Sequence, residues 1–169
     1  MCIRDSSTAT RAAELIAARR AQLVAGDGIA AQTSTKSSDV DPVTEVDTAT
    51  EEFIATTIRT QRPGDGIFGE EGANVESTSG VTWIVDPIDG TVNFLYGVPD
   101  FAVSIGAEYQ GRLVAGAVVN VARGRTYAAA AGQGATVTGP DGKAHPLQCA
   151  HTKNPALALV ATGLSLIHI

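Results

Sequence analysis

The chain has 169 residues, 44% of them hydrophobic, with a formal net charge of -6 and a pI near 4.9. That length suits one domain and that apolar share can fill a core, while the acidic balance excludes a nucleic-acid partner gripped through its phosphates, which needs a basic face. No run reaches the about eighteen apolar residues of a membrane span, and no charged-then-apolar start resembles a secretion signal, so the expectation is a cytoplasmic protein with no membrane partner. Cys2 and Cys149 lie too far apart in sequence, and are too few, to suggest a disulfide framework or a zinc cluster. Cys149 reads as a small buried hydrophobe.

Residues 1–6 carry neither a helical nor a strand period, and 1–8 are expected to be a non-native segment. Over 10–25, Ala13, Ile16, Ala17, Leu23 and Val24 share one helical face until Gly26-Asp27-Gly28 ends the pattern. Residues 31–39 are small and polar around Lys36 and read as a loop. A second helix is expected over 44–61, with Thr44 as N-cap, Val46, Ala49, Phe53, Ile54 and Ile58 at helical spacing, and Arg62-Pro63-Gly64 as its stop. Trp83-Ile84-Val85 reads as a strand covered on both faces, which Asp86-Pro87 should end because proline cannot donate to a ladder. Gly90-Thr91-Val92-Asn93 looks like a helix start. Strand-like runs follow at 101–109 and 113–121 around a Gln110-Gly111-Arg112 turn, then at 125–131 and 135–138. Gly139-Pro140-Asp141-Gly142 is a further turn, and 156–163 should be a core strand. Helices followed by a meandering antiparallel sheet make an α+β layered domain.

The chemistry concentrates where the apolar strand breaks. Asp86 and Asp89 flank a tight turn, and with the Ile88 carbonyl they supply the hard oxygen ligands that Mg²⁺ prefers. The helix start beside them offers N–H groups and a positive dipole end to an anion. A cation site and an anion site would then coincide, as phosphate-ester chemistry requires. Other readings stand beside this one: Asp-Pro and Asp-Gly steps are ordinary turn formers, Glu70-Glu71 at the end of a short strand could be a solvated loop, and Asp47 in the first turn of a helix could serve as a cap. His145, His151 and His168 fall in no ligand spacing.

The stretch from Trp83 through Asp86-Pro87-Ile88-Asp89-Gly90-Thr91-Val92-Asn93-Phe94 resembles the signature of the inositol monophosphatase family, Mg²⁺-dependent and lithium-sensitive phosphatases. Asp41-Pro42-Val43-Thr44-Glu45-Val46-Asp47 and Phe68-Gly69-Glu70-Glu71 resemble two further motifs of that family, in order and at suitable spacing. The likeness runs from 36 to about 163, through Gly97-Val98-Pro99, Phe101-Ala102-Val103-Ser104-Ile105 and Gly132-Gln133-Gly134-Ala135. It implies a layered α/β sandwich, two N-terminal helices on a largely antiparallel sheet over 9–163. The family's C-terminal layer and its Trp-Asp-x-Ala-Ala motif are missing, and 164–169 would be a second non-native segment.

The resemblance further implies a phosphomonoesterase using two or three Mg²⁺ ions, or Mn²⁺, to hydrolyse inositol monophosphate or a similar polyol phosphate by direct attack of an activated water. Asp86 would bridge two metals, Glu70 and the Ile88 carbonyl would complete the first, and Asp89 would bind the second. Thr91, oriented by Asp47, would relay the proton of the water, and Glu70 would hold that water through the first metal. Ile88, Asp89, Gly90 and Thr91 would meet the substrate. Lys36 would stand near the metals in its loop, or be a solvated lysine. A homodimer is implied for the full-length protein. Related substrates are histidinol phosphate, fructose 1,6-bisphosphate and 3'-phosphoadenosine nucleotides, and the reading of a different class is a non-catalytic, metal-binding interaction protein.

Overall fold

Small side chains let the first helix close down on the sheet. Thr8, Ala9, Ala12, Ala13 and Ile16 are buried along one side of α1 (Cys2–Ala25) and face buried Ala107 of β6 (Ala102–Tyr109) and Ala115 and Ala117 of β7 (Arg112–Asn120). The structure, a computed structural model, describes the backbone of residues 2–25, 33–35 and 42–159, and side chains over 6–22 and 45–159. The helix thus starts at Cys2 and not at residue 10, because Thr8, Ala9 and Ala12 extend the buried stripe of Ala13 and Ile16 toward the N-terminus. Ala17, expected on that face, is exposed, and Leu23 and Val24 lie outside the described side chains.

Helix α2 (Glu45–Gln61) begins directly after Thr44, as its pattern predicts. Val46, Ile54, Ala55 and Ile58 are buried in it, but so are Asp47, Thr50 and Glu51, while Ala49 is exposed and Phe53 only half-buried. Three polar residues on the inward face of a helix are unusual, and two of them take part in the site described below. Residues read as loop contain β1 (Thr33–Thr35), which pairs antiparallel with β2 (Pro42–Thr44).

The main sheet has eight strands in the order β10-β9-β8-β7-β6-β5-β3-β4. Its remaining members are β3 (Gly66–Gly69), β4 (Asn74–Val75), β5 (Val81–Asp89), β8 (Arg125–Ala130), β9 (Gly134–Thr138) and β10 (Ala144–Leu147). Every neighbouring pair is antiparallel except β3 and β5, which run parallel. The largely antiparallel α+β layering agrees with expectation; β10 was not foreseen.

Strand β5 differs from its predicted form in two ways. It is not covered on both faces: Val81, Trp83 and Val85 are buried beneath the helices, while Ile84 is 38% exposed on the other side. Alternation of this kind means one packed face and one open face among the described residues. Nor does it stop at Asp86. It continues to Asp89 through a register shift between Asp86 and Asp89, and that irregularity accommodates a proline with no N–H to donate.

The expected core strand at 156–163 is not formed over its described part. Pro155–Leu157 is a short 3-10 turn started by Asn154, whose side chain accepts from the Ala156 N–H at 3.0 Å, and Leu157 and Leu159 are exposed. The rest of that segment lies outside the described residues. Cys149 is exposed and lies outside any helix or strand, so it is not the buried hydrophobe expected. Among the described residues no helix is long and apolar enough to cross a membrane.

Candidate metal and phosphate site

Parallel pairing of β3 with β5 brings two acidic motifs side by side. Gly69 is registered with Val85, and the Glu70 N–H donates to the Val85 carbonyl at 3.1 Å, so the next residues outward, Glu70 and Asp86, are neighbours at the same end of the two strands. Asp86 is partly buried. Burial and then the charge of Glu70, its hydrogen bond with Glu70, and the charges of Asp89 and Asp47 push the Asp86 carboxyl up to about 8. Asp86 therefore feels three other carboxylates, and the four come from three separate motifs.

The turn after β5 is built on Gly90, whose φ of 91° and ψ of 41° lie in the left-handed region. A Cβ there would also come within 3.1 Å of the Asp100 carbonyl, so glycine is required twice over. Helix α3 (Thr91–Tyr96) starts immediately after it, with the Phe94 N–H donating to the Gly90 carbonyl at 3.0 Å. This confirms the predicted helix start. Phe94 anchors the helix: it is fully buried, packs edge-on against Phe101 with ring centroids 5.4 Å apart, and its carbonyl accepts from Arg20 Nε of α1 at 3.4 Å.

Thr91 Oγ1 lies 3.1 Å from the Ile88 carbonyl oxygen and 3.3 Å from Asp47 Oδ2. Asp47 reaches this position from the first turn of α2 and is 2% exposed. The three motifs singled out in the sequence thus meet in one region, with Glu70 linked to Asp86 and Asp47 linked to Thr91. Asp89 and Glu70 are exposed, Asp86 and Thr91 half-buried, and Ile88 buried. Lys36 and Asp41 lie outside the described residues, as does His168; His145 and His151 are exposed and apart from the site.

Among the described residues no three His, Cys, Asp or Glu side chains stand as a ready ligand group. The fit to a divalent cation rests instead on Asp86: its Oδ1 is buried and accepts no hydrogen bond. A buried carboxylate oxygen with no donor, ringed by further carboxylates, suits a hard cation far better than water-excluded solitude.

Sequence reasoning missed Glu51 and Asp65. Glu51 is buried and accepts backbone N–H groups of Glu71 at 2.7 Å and Ala73 at 2.8 Å. Its position one helical turn after Asp47, on the same face, was the available signal. Asp65 accepts from Trp83 Nε1 at 2.8 Å, Ser79 Oγ at 2.6 Å and Arg62 Nε at 2.7 Å. Burial alone would raise its pKa, but these hydrogen bonds and the Arg62 charge hold it below the ordinary carboxylate value.

The model of the Inositol monophosphatase family matches residues 3–168. Inositol-1-monophosphatase SuhB of Mycobacterium tuberculosis is 48% identical over 164 residues, which cover 92% of this chain and 56% of that protein. The solved structure of Mycobacterium tuberculosis SuhB aligns at 41% identity with a TM-score of 0.69, over 88% of this chain and 51% of that one. Nus factor SuhB of Pseudomonas aeruginosa is 40% identical over 73% of this chain and 45% of its own length, and a histidinol-phosphatase of Chlorobaculum parvum is 44% identical over 60% of this chain and 39% of its own. The chain spans about half the length of the curated relatives it matches.

Proposed function

Because the chain belongs to the inositol monophosphatase family, we propose that it supplies the metal- and phosphate-binding half of a Mg²⁺-dependent phosphomonoesterase acting on inositol monophosphate or a similar polyol phosphate. The observation that carries this reading is the pairing of Glu70 with Asp86 where β3 ends beside β5, with Asp86 Oδ1 buried and lacking a donor. Glu70, Asp86, the Ile88 carbonyl and Asp89 are the residues that would hold the metal. Mg²⁺, when bound, lowers the pKa of a water and offsets the charge of the phosphate oxygens.

The rest follows from what the side chains can do. A threonine hydroxyl has one proton and two lone pairs, and both contacts of Thr91 Oγ1 are to acceptors, Asp47 and the Ile88 carbonyl. Its proton is therefore committed and its lone pairs can accept from a water, which is the role of a positioned relay. Asp47 keeps that hydroxyl oriented. Gly90 and Thr91, at the turn into α3, would offer N–H groups to the phosphate, and the exposed Asp89 just before them would meet the substrate. Such an arrangement needs no covalent nucleophile, since positioning and electrostatics carry most of phosphoryl transfer.

Phosphate release from inositol 1-phosphate, with and without Mg²⁺, by the protein at the length of its relatives tests the reading. Mg²⁺-dependent release that Asp86→Asn abolishes supports it; metal-independent release, or none with any of inositol 1-phosphate, histidinol phosphate or fructose 1,6-bisphosphate, overturns it. A second reading draws on the relative named Nus factor SuhB: a protein that acts by contacting a partner through this fold. Under it, Asp86→Asn would remove hydrolysis yet leave the partner contact intact.

A further inference from the structure

Glu51 is a carboxylate only 3% exposed, placed one turn along α2 from Asp47, with backbone groups as its hydrogen-bonding partners. A buried carboxylate is costly unless its oxygens are satisfied by hydrogen bonds. Stability alone does not call for it. The groups it binds explain its presence. They are the N–H of Glu71, the residue after Glu70, and the N–H of Ala73, whose carbonyl in turn accepts from Gly69 at 3.0 Å. Glu70 is thereby fixed from both sides, through its own N–H on Val85 and through the following N–H on Glu51. Gly69 completes the fit, because a Cβ at that position would overlap the Glu51 carboxylate.

We propose that Glu51 is a positioning residue: it clamps the turn after β3 so that the Glu70 carboxylate is delivered to Asp86. The proposal rests on the reading of Glu70 as a metal ligand, and it assigns a purpose to Gly69 that no turn requires of it. Outer partners of this kind govern the affinity of a site without touching the metal.

The test uses this chain with Glu51→Gln, Gly69→Ala and, as a control in the same sheet, Trp83→Phe. Two quantities are read: amide hydrogen exchange at Glu71 and Ala73 in metal-free protein, and the Mn²⁺ concentration giving half of the maximal thermal shift. Glu51→Gln should speed exchange at both amides and raise the half-saturating Mn²⁺ roughly tenfold. Gly69→Ala, which displaces the same carboxylate without removing it, should do both as well. Trp83→Phe should lower the melting temperature and move neither. Glu51→Gln added to Glu70→Gln should weaken Mn²⁺ no further than Glu70→Gln alone. Loosened amides with unchanged Mn²⁺ response would make the clamp purely structural and overturn the proposal, as would unchanged amides. An Mn²⁺ response of the unsubstituted chain that Glu70→Gln leaves unchanged would instead overturn the assignment of Glu70 as a ligand, a failure told apart by the amide exchange.

Discussion

Thr91 and Asp47 share a hydrogen bond of 3.3 Å across 44 positions of sequence, joining the first residue of α3 to the first turn of α2. Helix α2 packs against β5, and α3 follows β5 after one glycine, so the sheet brings the two helix starts together. A contact this long-range is maintained by the fold and not by local turn geometry.

Thr91→Val keeps the shape of the side chain and removes its hydroxyl. In the protein at the length of its relatives, the phosphate release proposed for it should fall by about 10²–10⁴-fold, the usual worth of a positioned proton-transfer group. Thr91→Ser should retain most of the rate. Equal rates for the valine and serine variants would show that the hydroxyl is not used.

Asp89→Asn removes a charge from a group that lies exposed beside Asp86 and helps to raise its pKa. The metal-free protein should keep its melting temperature or gain slightly, because like charges no longer oppose one another. The Mn²⁺ needed for half of the maximal thermal shift should rise at least roughly tenfold, the range set by weaker perturbations of metal sites. An unchanged titration would remove Asp89 from the ligand set.

The signature around Asp86 was legible because it compresses into one segment: an apolar run, a proline, a glycine and two carboxylates define strand, irregular turn and helix start together. The strands from β6 to β9 were equally plain, since alternation and glycine turns are local signals. What escaped was set by long-range packing. Burial of β5 on one face, not two, depends on where α1 and α2 lie, and nothing in Trp83-Ile84-Val85 states which side is open. Glu51 and Asp65 were passed over because each is an ordinary surface residue by composition, and only the fold delivers backbone N–H groups to one and Trp83 to the other. The start of α1 was missed because alanine and threonine make a weak hydrophobic period even when fully buried.

Asp65 should account for part of the acid sensitivity of the fold. Its folded-state pKa lies below the unfolded value of 3.8, so the stability it contributes is present above that value and is lost as pH falls through the lower folded value. Asp65→Ala strands the buried Trp83 N–H and should cost about 3 kcal/mol in urea unfolding at pH 7. With Asp65→Asn, the deficit relative to the unsubstituted chain should be constant at neutral pH and shrink below about pH 4. A deficit that does not change with acid would mean that the carboxylate charge is not what the network requires.

Among the described residues, the face of the sheet turned away from the helices is apolar and open. Ile84, Leu113 and Val118 are exposed on it at 38%, 68% and 38%, and Leu113 and Val118 border, with Tyr127 and Leu147, a shallow groove of about 300 Å³. Contiguous apolar surface of this kind seeks cover, and a chain carrying it in isolation should self-associate and bind an apolar dye such as ANS. Val118→Lys combined with Leu113→Lys should lower both dye binding and light scattering, because charge is introduced at positions that carry none of the helix-side packing. Circular dichroism should stay unchanged in that variant, since Ala115, Ala117 and Val119 on the opposite side of β7 keep their contacts with α1. A monodisperse, dye-silent parent chain would show that this face is covered within the 169 residues themselves.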